Sequence, residues 1–288
     1  VDAACAEILR IFEASPKIDR GVAMEIYTAQ EMVHKYGEMI RRMDEASVDI
    51  GDTIEGLRGH IRKLAPGDVV TIIAGTGVGK SAFLQSVAVS QSPKPVLFFQ
   101  IELACGIMAE RYISMTQGIH PNDIPPHMAR MGGTIDTRQW DHIYTCPESK
   151  IGVDDIERYI ERSELKIGKR PSIVMVDYIG LIRGGSGKRY ERMSTIAEEL
   201  KVMAKATNTI VFVASQRSRS DDNDVSLYDA KDSGSIENSS ALVLGLSRPD
   251  VNTLQVKILK QTRGNSGYAV SVRFDGAKMR YEQRDPDV

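Results

Sequence analysis

Residues 68–81 read DVVTIIAGTGVGKS, an apolar, β-prone run that breaks into a glycine-spaced turn ending on Gly79-Lys80-Ser81. Val69, Val70, Thr71, Ile72 and Ile73 are all β-branched, which suits a buried strand. Gly75, Gly77 and Gly79 let the backbone curl so that successive N–H groups point into one concavity at a helix N-terminus, and such a concavity binds anions. Lys80 adds a point charge for terminal phosphates and Ser81 a hydroxyl ligand for Mg2+, so Ala74, Gly75, Thr76, Gly77, Val78, Gly79, Lys80, Ser81 and Ala82 read as a Walker A loop, with ATP the default nucleotide. The strict motif opens on glycine where this chain has Ala74. A residue that ends a strand has no need of positive φ, so alanine is compatible there. Ala82, Phe83, Val87 and Ala88 then begin an amphipathic helix.

At 288 residues and 42% hydrophobic content the chain can bury one large α/β core plus an appendage. Thirty-seven Lys and Arg face 39 Asp and Glu, a net charge of −2, so any nucleic-acid binding must be local rather than the work of a global basic field. Three widely spaced cysteines, Cys5, Cys105 and Cys146, form neither a disulfide framework nor a zinc pattern and point to a reducing, intracellular setting. No apolar run reaches the ~18 residues of a membrane span and no signal-peptide pattern opens the chain, which excludes a membrane partner from the reading and favours the cytoplasm. Val1 in place of Met fits a processed or excised piece.

From residue 22 to 43, apolar positions Val22, Ile26, Ala29, Val33, Tyr36, Ile40 and Met43 alternate spacings of four and three, the pattern of a helix that packs along another. Two readings stay open for it: a helix lying on its own domain, or a linker helix docking on a neighbouring subunit. Residues 51–67, rich in glycine and charge, mark a boundary, so residues 1–50 are expected to form a helical linker segment and 51–288 the main domain. Short buried strands follow at 95–100, 142–145, 171–177 and 209–215, with helices near 104–117, 153–167 and 193–204 between them. That alternation predicts an α/β fold with a mostly parallel central sheet and helices on both faces. Beyond Gln216 the pattern changes to a polar stretch and then consecutive strands at 241–246, 253–260, 268–274 and 278–281, an antiparallel extension.

Hydrolysis of a nucleoside triphosphate needs a phosphate cradle, a metal held by hydroxyl and carboxylate, and a group that orients the attacking water. Asp177, after the strand IVMV, suits the metal; Glu102, just past FFQ, suits the base; Gln216, after VFVAS, suits a γ-phosphate sensor. Singly, Asp177 and Glu102 can equally be helix or turn caps and Gln216 a surface polar group. Their shared position at strand ends around one Walker loop argues for the chemistry.

The ordered set AGTGVGKS, FFQIEL, IVMVDYIGLI, VFVASQRSR, DSGSIENSSALVLG and LKQTRGNSG resembles the RecA-like motor domain of the DnaB family of replicative helicases over roughly residues 50–281. The resemblance implies a RecA-like P-loop fold, a homo-hexameric ring, ATP and Mg2+ as cofactors, hydrolysis between subunits, 5′ to 3′ translocation on single-stranded DNA, and a primase and a helicase loader as partners in bacterial cytoplasm or a phage-infected host. By matching position it assigns Lys80 and Ser81 to phosphate and Mg2+, Glu102 to water activation, Asp177 to the metal and Gln216 to γ-phosphate sensing. Lys231, Asp232 and Gly234 fall where the family meets the DNA backbone; Lys188, Arg189 and Arg217 are further local cations for it. Lys260 reaches towards the neighbour's active site. The family's arginine two places after that lysine is Thr262 here, and arginine comes next, at Arg263. A counterpart of the family's all-helical N-terminal domain is not expected before the linker helix. A RecA/RadA-type recombinase or mediator and a KaiC-like regulatory ATPase share the fold; SGSIE and the Lys-Gln segment favour the helicase.

Overall fold

In the computed structural model, residues 26–217 and 233–282 are described. By its contacts the chain divides into residues 1–42 and residues 43–288. The first part contributes helix α1 (Ala29–Ala46). Thr28 caps it: its hydroxyl accepts the Glu31 N–H at 3.3 Å, and the Glu31 carboxylate takes the Thr28 N–H at 2.7 Å, a reciprocal box that fixes where the helix begins. The helix therefore starts seven residues later than its apolar period suggests, with Val22 outside the described residues. Its stripe is exposed, Val33 at 71% and Tyr36 at 57%.

The second part is built on one nine-stranded sheet in the order β3-β2-β4-β5-β1-β6-β7-β8-β9. Its strands are β1 (Val69–Ala74), β2 (Val96–Gln100), β3 (Ile143–Cys146), β4 (Ile173–Asp177), β5 (Ile210–Gln216), β6 (Leu242–Asp250), β7 (Thr253–Gln261), β8 (Ala269–Asp275) and β9 (Arg280–Glu282). From β3 to β6 all pairings are parallel, and from β6 to β9 all are antiparallel. The expected α/β fold, parallel core and antiparallel C-terminal strands are all present.

The helices are α2 (Lys80–Ser90), α3 (Cys105–Gln117), α4 (Ile124–Arg130), α5 (Val153–Ile167), α6 (Arg189–Thr207) and α7 (Ser233–Ser239). One sheet face carries Val70, Ile72, Phe98 and Phe212 against Phe83, Leu84 and Val87 of α2. The other carries Val69, Val174, Val176 and Val213 against Ile156 and Ile160 of α5 and Ile196 and Leu200 of α6. Successive residues of a strand serve opposite faces, so a strand buried on both sides reads as an unbroken apolar run.

Residues 48–64 hold two short 3-10 turns, Ile50–Asp52 and Glu55–Leu57, and Val48, Ile50, Ile54, Leu57, Ile61 and Leu64 are all buried in the first core layer. β6 runs on through Pro249 to Asp250 with a register shift between Ser247 and Asp250, an irregular strand end where proline is tolerated.

Candidate active site

Parallel strands deliver their C-terminal ends to one edge, where open α/β sheets bind ligands. Here Ala74 of β1 lies level with Gln216 of β5, and Gln100 of β2 level with Asp177 of β4. The Walker turn leaves β1 at Ala74, which is still paired as strand to Leu246 on its other side, so the position needs no glycine. Gly77 at φ +77° and Gly79 at φ +118° lie in the left-handed region, and these two make the loop. Gly79 then precedes α2, whose first residue is Lys80.

Lys80 is 9% exposed, and its Nζ donates to the Ala74 carbonyl at 3.0 Å and the Gly75 carbonyl at 2.9 Å. Burial lowers its pKa, while the carboxylates of Asp177 and Glu102 pull it back up. Those carboxylates thus act on the Walker lysine from two other strand ends. Asp177 is 1% exposed and accepts a long hydrogen bond, 3.4 Å, from Gln100 Nε2.

Above the lysine opens a cleft of about 260 Å3 lined by Thr76, Gly77, Gly79, Ser81, Glu102 and Gln216, among others. Strand-end logic therefore brings Glu102 and Gln216 to one cleft with the Walker loop, while Asp177, buried at the end of β4, is not among the residues that line it. No group of three His, Cys, Asp or Glu side chains among the described residues could hold a metal unaided. The donor set of Ser81 hydroxyl and Asp177 carboxylate fits Mg2+, which keeps several waters and completes its shell with substrate phosphates.

The far wall of the cleft lies outside the residues the sequence singled out. Arg111 of α3, Arg248 of β6, Phe274 of β8, Gly276 and Met279 line it. The Arg248 guanidinium stacks 4.8 Å over the Phe274 ring, and the Tyr281 ring stacks on Phe274 with centroids 5.0 Å apart. Tyr281 also sends its hydroxyl to the Gly79 carbonyl at 3.5 Å, which ties the last strands to the Walker loop. No spacing rule points to these side chains, because they come from α3, from β6 beside β1, and from β8 and its connection to β9, three and more places along the sheet.

Lys260 and Arg263 lie elsewhere. Lys260 Nζ donates to the carbonyls of Glu237 and Ser240 at the end of α7, and burial lowers its pKa. Arg263 pairs with Asp68, the residue before β1. Asp68 and Ala74 are six residues apart, so this cluster sits ~20 Å from the chain's own Walker turn at the rise of a strand. Lys188 is exposed at the entry to α6, Gly234 falls within α7, and Arg217 is half-buried with its N–H on the Ala74 carbonyl at 2.9 Å. Lys231 and Asp232 lie outside the described residues, as does the side chain of Arg189.

The sequence matches the DnaB-like helicase C-terminal domain family over residues 50–283. The chain belongs to that family. Among curated relatives, a probable plasmid replicative DNA helicase of Chlamydia trachomatis is 25% identical over 226 residues, covering 74% of this chain and 50% of the relative. The replicative DNA helicase DnaB of Geobacillus stearothermophilus is 24% identical over 282 residues, covering 90% of this chain and 62% of the relative. This chain spans about half the length of the first of these. A solved ATPase domain superposes with a TM-score of 0.76 at 22% identity, covering 91% of this chain and all of that one. A solved DnaB-like replicative helicase, described with its interactions with primase, gives 0.71 at 23% identity over 99% of this chain and 72% of that one. These solved structures share the DnaB-type fold found here.

Proposed function

We propose that this DnaB-family domain is the ATP-hydrolysing motor of a replicative DNA helicase, working as a homo-hexameric ring that moves 5′ to 3′ on single-stranded DNA. The observation that carries the reading is the separation of the chain's two catalytic half-sites. The Walker edge holds Lys80, Ser81, Glu102, Asp177 and Gln216, while the cations expected to meet a γ-phosphate, Lys260 and Arg263, stand at the other end of β1. One subunit cannot close that gap on itself. A head-to-tail ring can, because each heterologous interface presents one subunit's second half-site to the next subunit's first.

In this reading Lys80 exchanges its loop carbonyls for phosphate oxygens, and Gln216 contacts the γ-phosphate through its amide. Ser81 and Asp177 hold Mg2+, which neutralises charge on the β- and γ-phosphates when bound. Glu102 takes the proton of the attacking water. Arg248 and Phe274 form the wall on which the base rests. Lys188, Arg189, Arg217, Lys231, Asp232 and Gly234 remain the candidate DNA contacts, backbone binding being independent of sequence. The exposed stripe of α1 supports docking on a neighbouring subunit, and primase and a loader are the expected partners at a replication fork in bacterial cytoplasm or an infected host.

The test pairs an ATPase assay, with and without single-stranded DNA, with mass measurement in the presence of nucleotide. Stimulation by DNA together with a six-subunit mass supports the motor. Hydrolysis indifferent to DNA points to a regulatory ATPase, and an open filament on DNA to a recombinase.

A further inference from the structure

The second half-site contains a carboxylate that an anion-binding surface would not be expected to carry. A concavity of about 460 Å3 is lined by Lys201, Lys260 and Arg263, and Asp68 is the one carboxylate among its lining residues. Lys201 and Lys260 both donate to main-chain carbonyls of the α7 segment, Lys201 to Asn238 at 3.0 Å and Lys260 to Ser240 at 3.1 Å. Arg263 is different: its Nη2 donates to Asp68 Oδ2 in a half-buried ion pair.

The two partners are unequally anchored. Asp68 Oδ2 also accepts the Ala65 N–H at 2.8 Å, and the Asp68 carbonyl accepts the Val211 N–H at 3.0 Å, so the carboxylate is fixed to the start of the sheet. Arg263 lies beyond the end of β7, two residues past Gln261, and is followed by Gly264 and then Gly267 at φ +95°. The arginine is the partner placed to leave. A phosphate competing for the guanidinium would replace the carboxylate as its anion, while Asp68 keeps the Ala65 N–H as a donor.

Resting on the proposed role of Arg263 as the cation that completes the neighbour's site, we propose that Asp68 is a positioning residue that latches Arg263 within its own subunit and releases it only when the neighbour's nucleotide competes. The latch keeps the finger neutralised until a ring interface forms, which couples hydrolysis to assembly and to DNA. Asp68 touches no reacting atom in this scheme and acts entirely through Arg263.

The test is a double-mutant cycle in the full chain, reading ATPase with and without single-stranded DNA. Asp68→Asn keeps an acceptor for the Ala65 N–H and removes the charge. It is expected to raise DNA-independent hydrolysis about tenfold and lower the DNA stimulation ratio correspondingly, with Asp68→Glu returning the ratio towards wild type. In an Arg263→Ala background, Asp68→Asn should change nothing further. A rate lowered by Asp68→Asn, or the same change with and without Arg263, overturns the latch and makes Asp68 a support of β1. A wild-type rate in Arg263→Ala alone overturns the finger reading itself, and the latch falls with it.

Discussion

Lys80 and Glu102 share the cleft but do different work in the proposed mechanism, and substitution separates them. Lys80→Ala removes the buried cation proposed to hold phosphate, so nucleotide binding itself should be lost. Glu102→Gln keeps shape and hydrogen bonding but removes the base; Mg2+-ATP should stay bound while turnover drops on the order of 10²- to 10⁴-fold. Equilibrium binding of labelled ATP beside steady-state hydrolysis tells the two apart, and normal turnover in Glu102→Gln would reduce Glu102 to a cap of α3. A second residue governs stability rather than chemistry. His142 is buried, its Nε2 lies 2.8 Å from the Ala88 carbonyl, and its Nδ1 has no hydrogen-bond partner among the described residues. Burial lowers its pKa from 6.5. Between that lowered value and 6.5 the unfolded chain binds the proton and the folded chain does not, so this contribution to stability is present above 6.5 and lost as pH falls through the window. Denaturant melts from pH 7.5 to 5 should show wild type losing stability faster than His142→Gln; parallel curves would clear His142 of the effect.

At the scale of elements, the cleft is a joint product of the Walker loop and the C-terminal antiparallel strands. The β8–β9 connection brings Phe274, Gly276 and Met279 over the cleft, and Tyr281 bonds to the loop itself. If this wall receives the base, Arg248→Ala should weaken ATP binding roughly tenfold, as loss of a desolvated cation–π partner would. Binding of inorganic triphosphate, which has no base, should hardly change. Equal losses for both ligands would mean that Arg248 serves the phosphates or the fold. The element that opens the chain obeys a different rule. Helix α1 has an N-terminal box and an apolar stripe, and isolated helices of this length are marginal in water, so the stripe calls for a partner surface.

For the whole molecule, the distance between the two proposed half-sites would decide how activity is shared among the subunits of the proposed ring. Arg263→Ala subunits keep an intact Walker loop, and Lys80→Ala subunits keep an intact arginine. Each preparation alone should be inactive, with DNA-stimulated hydrolysis down by about 10³-fold for the finger variant. Mixing them should restore part of the rate, because some interfaces then pair a good loop with a good finger. The check is the ATPase rate against mixing ratio at constant total protein. No recovery at any ratio would place both functions within one subunit and contradict the separation along β1.

Local chemistry was enough to specify the strand, turn and helix at 69–90, because β-branched residues, positive-φ glycines and a following apolar helix act within a few residues of one another. It also carried Glu102, Asp177 and Gln216, since a polar residue closing a buried strand of a parallel sheet has one edge to occupy. Residues 48–64 show where this stops: Ile50, Ile54, Leu57, Ile61 and Leu64 follow the alternating four-and-three spacing of a helix, yet the segment folds as two 3-10 turns and irregular backbone with those side chains in the core. Burial of irregular backbone depends on which surface it meets. Phe274, Met279 and Arg248 became part of the cleft only when β6 to β9 extended the sheet and turned back over the Walker loop. The pairing of Arg263 with Asp68, 195 residues apart in the chain, likewise exists only because β7 ends beside the start of β1 in three dimensions. Residue type supplied the candidate chemistry, and long-range strand order decided which candidates share a site.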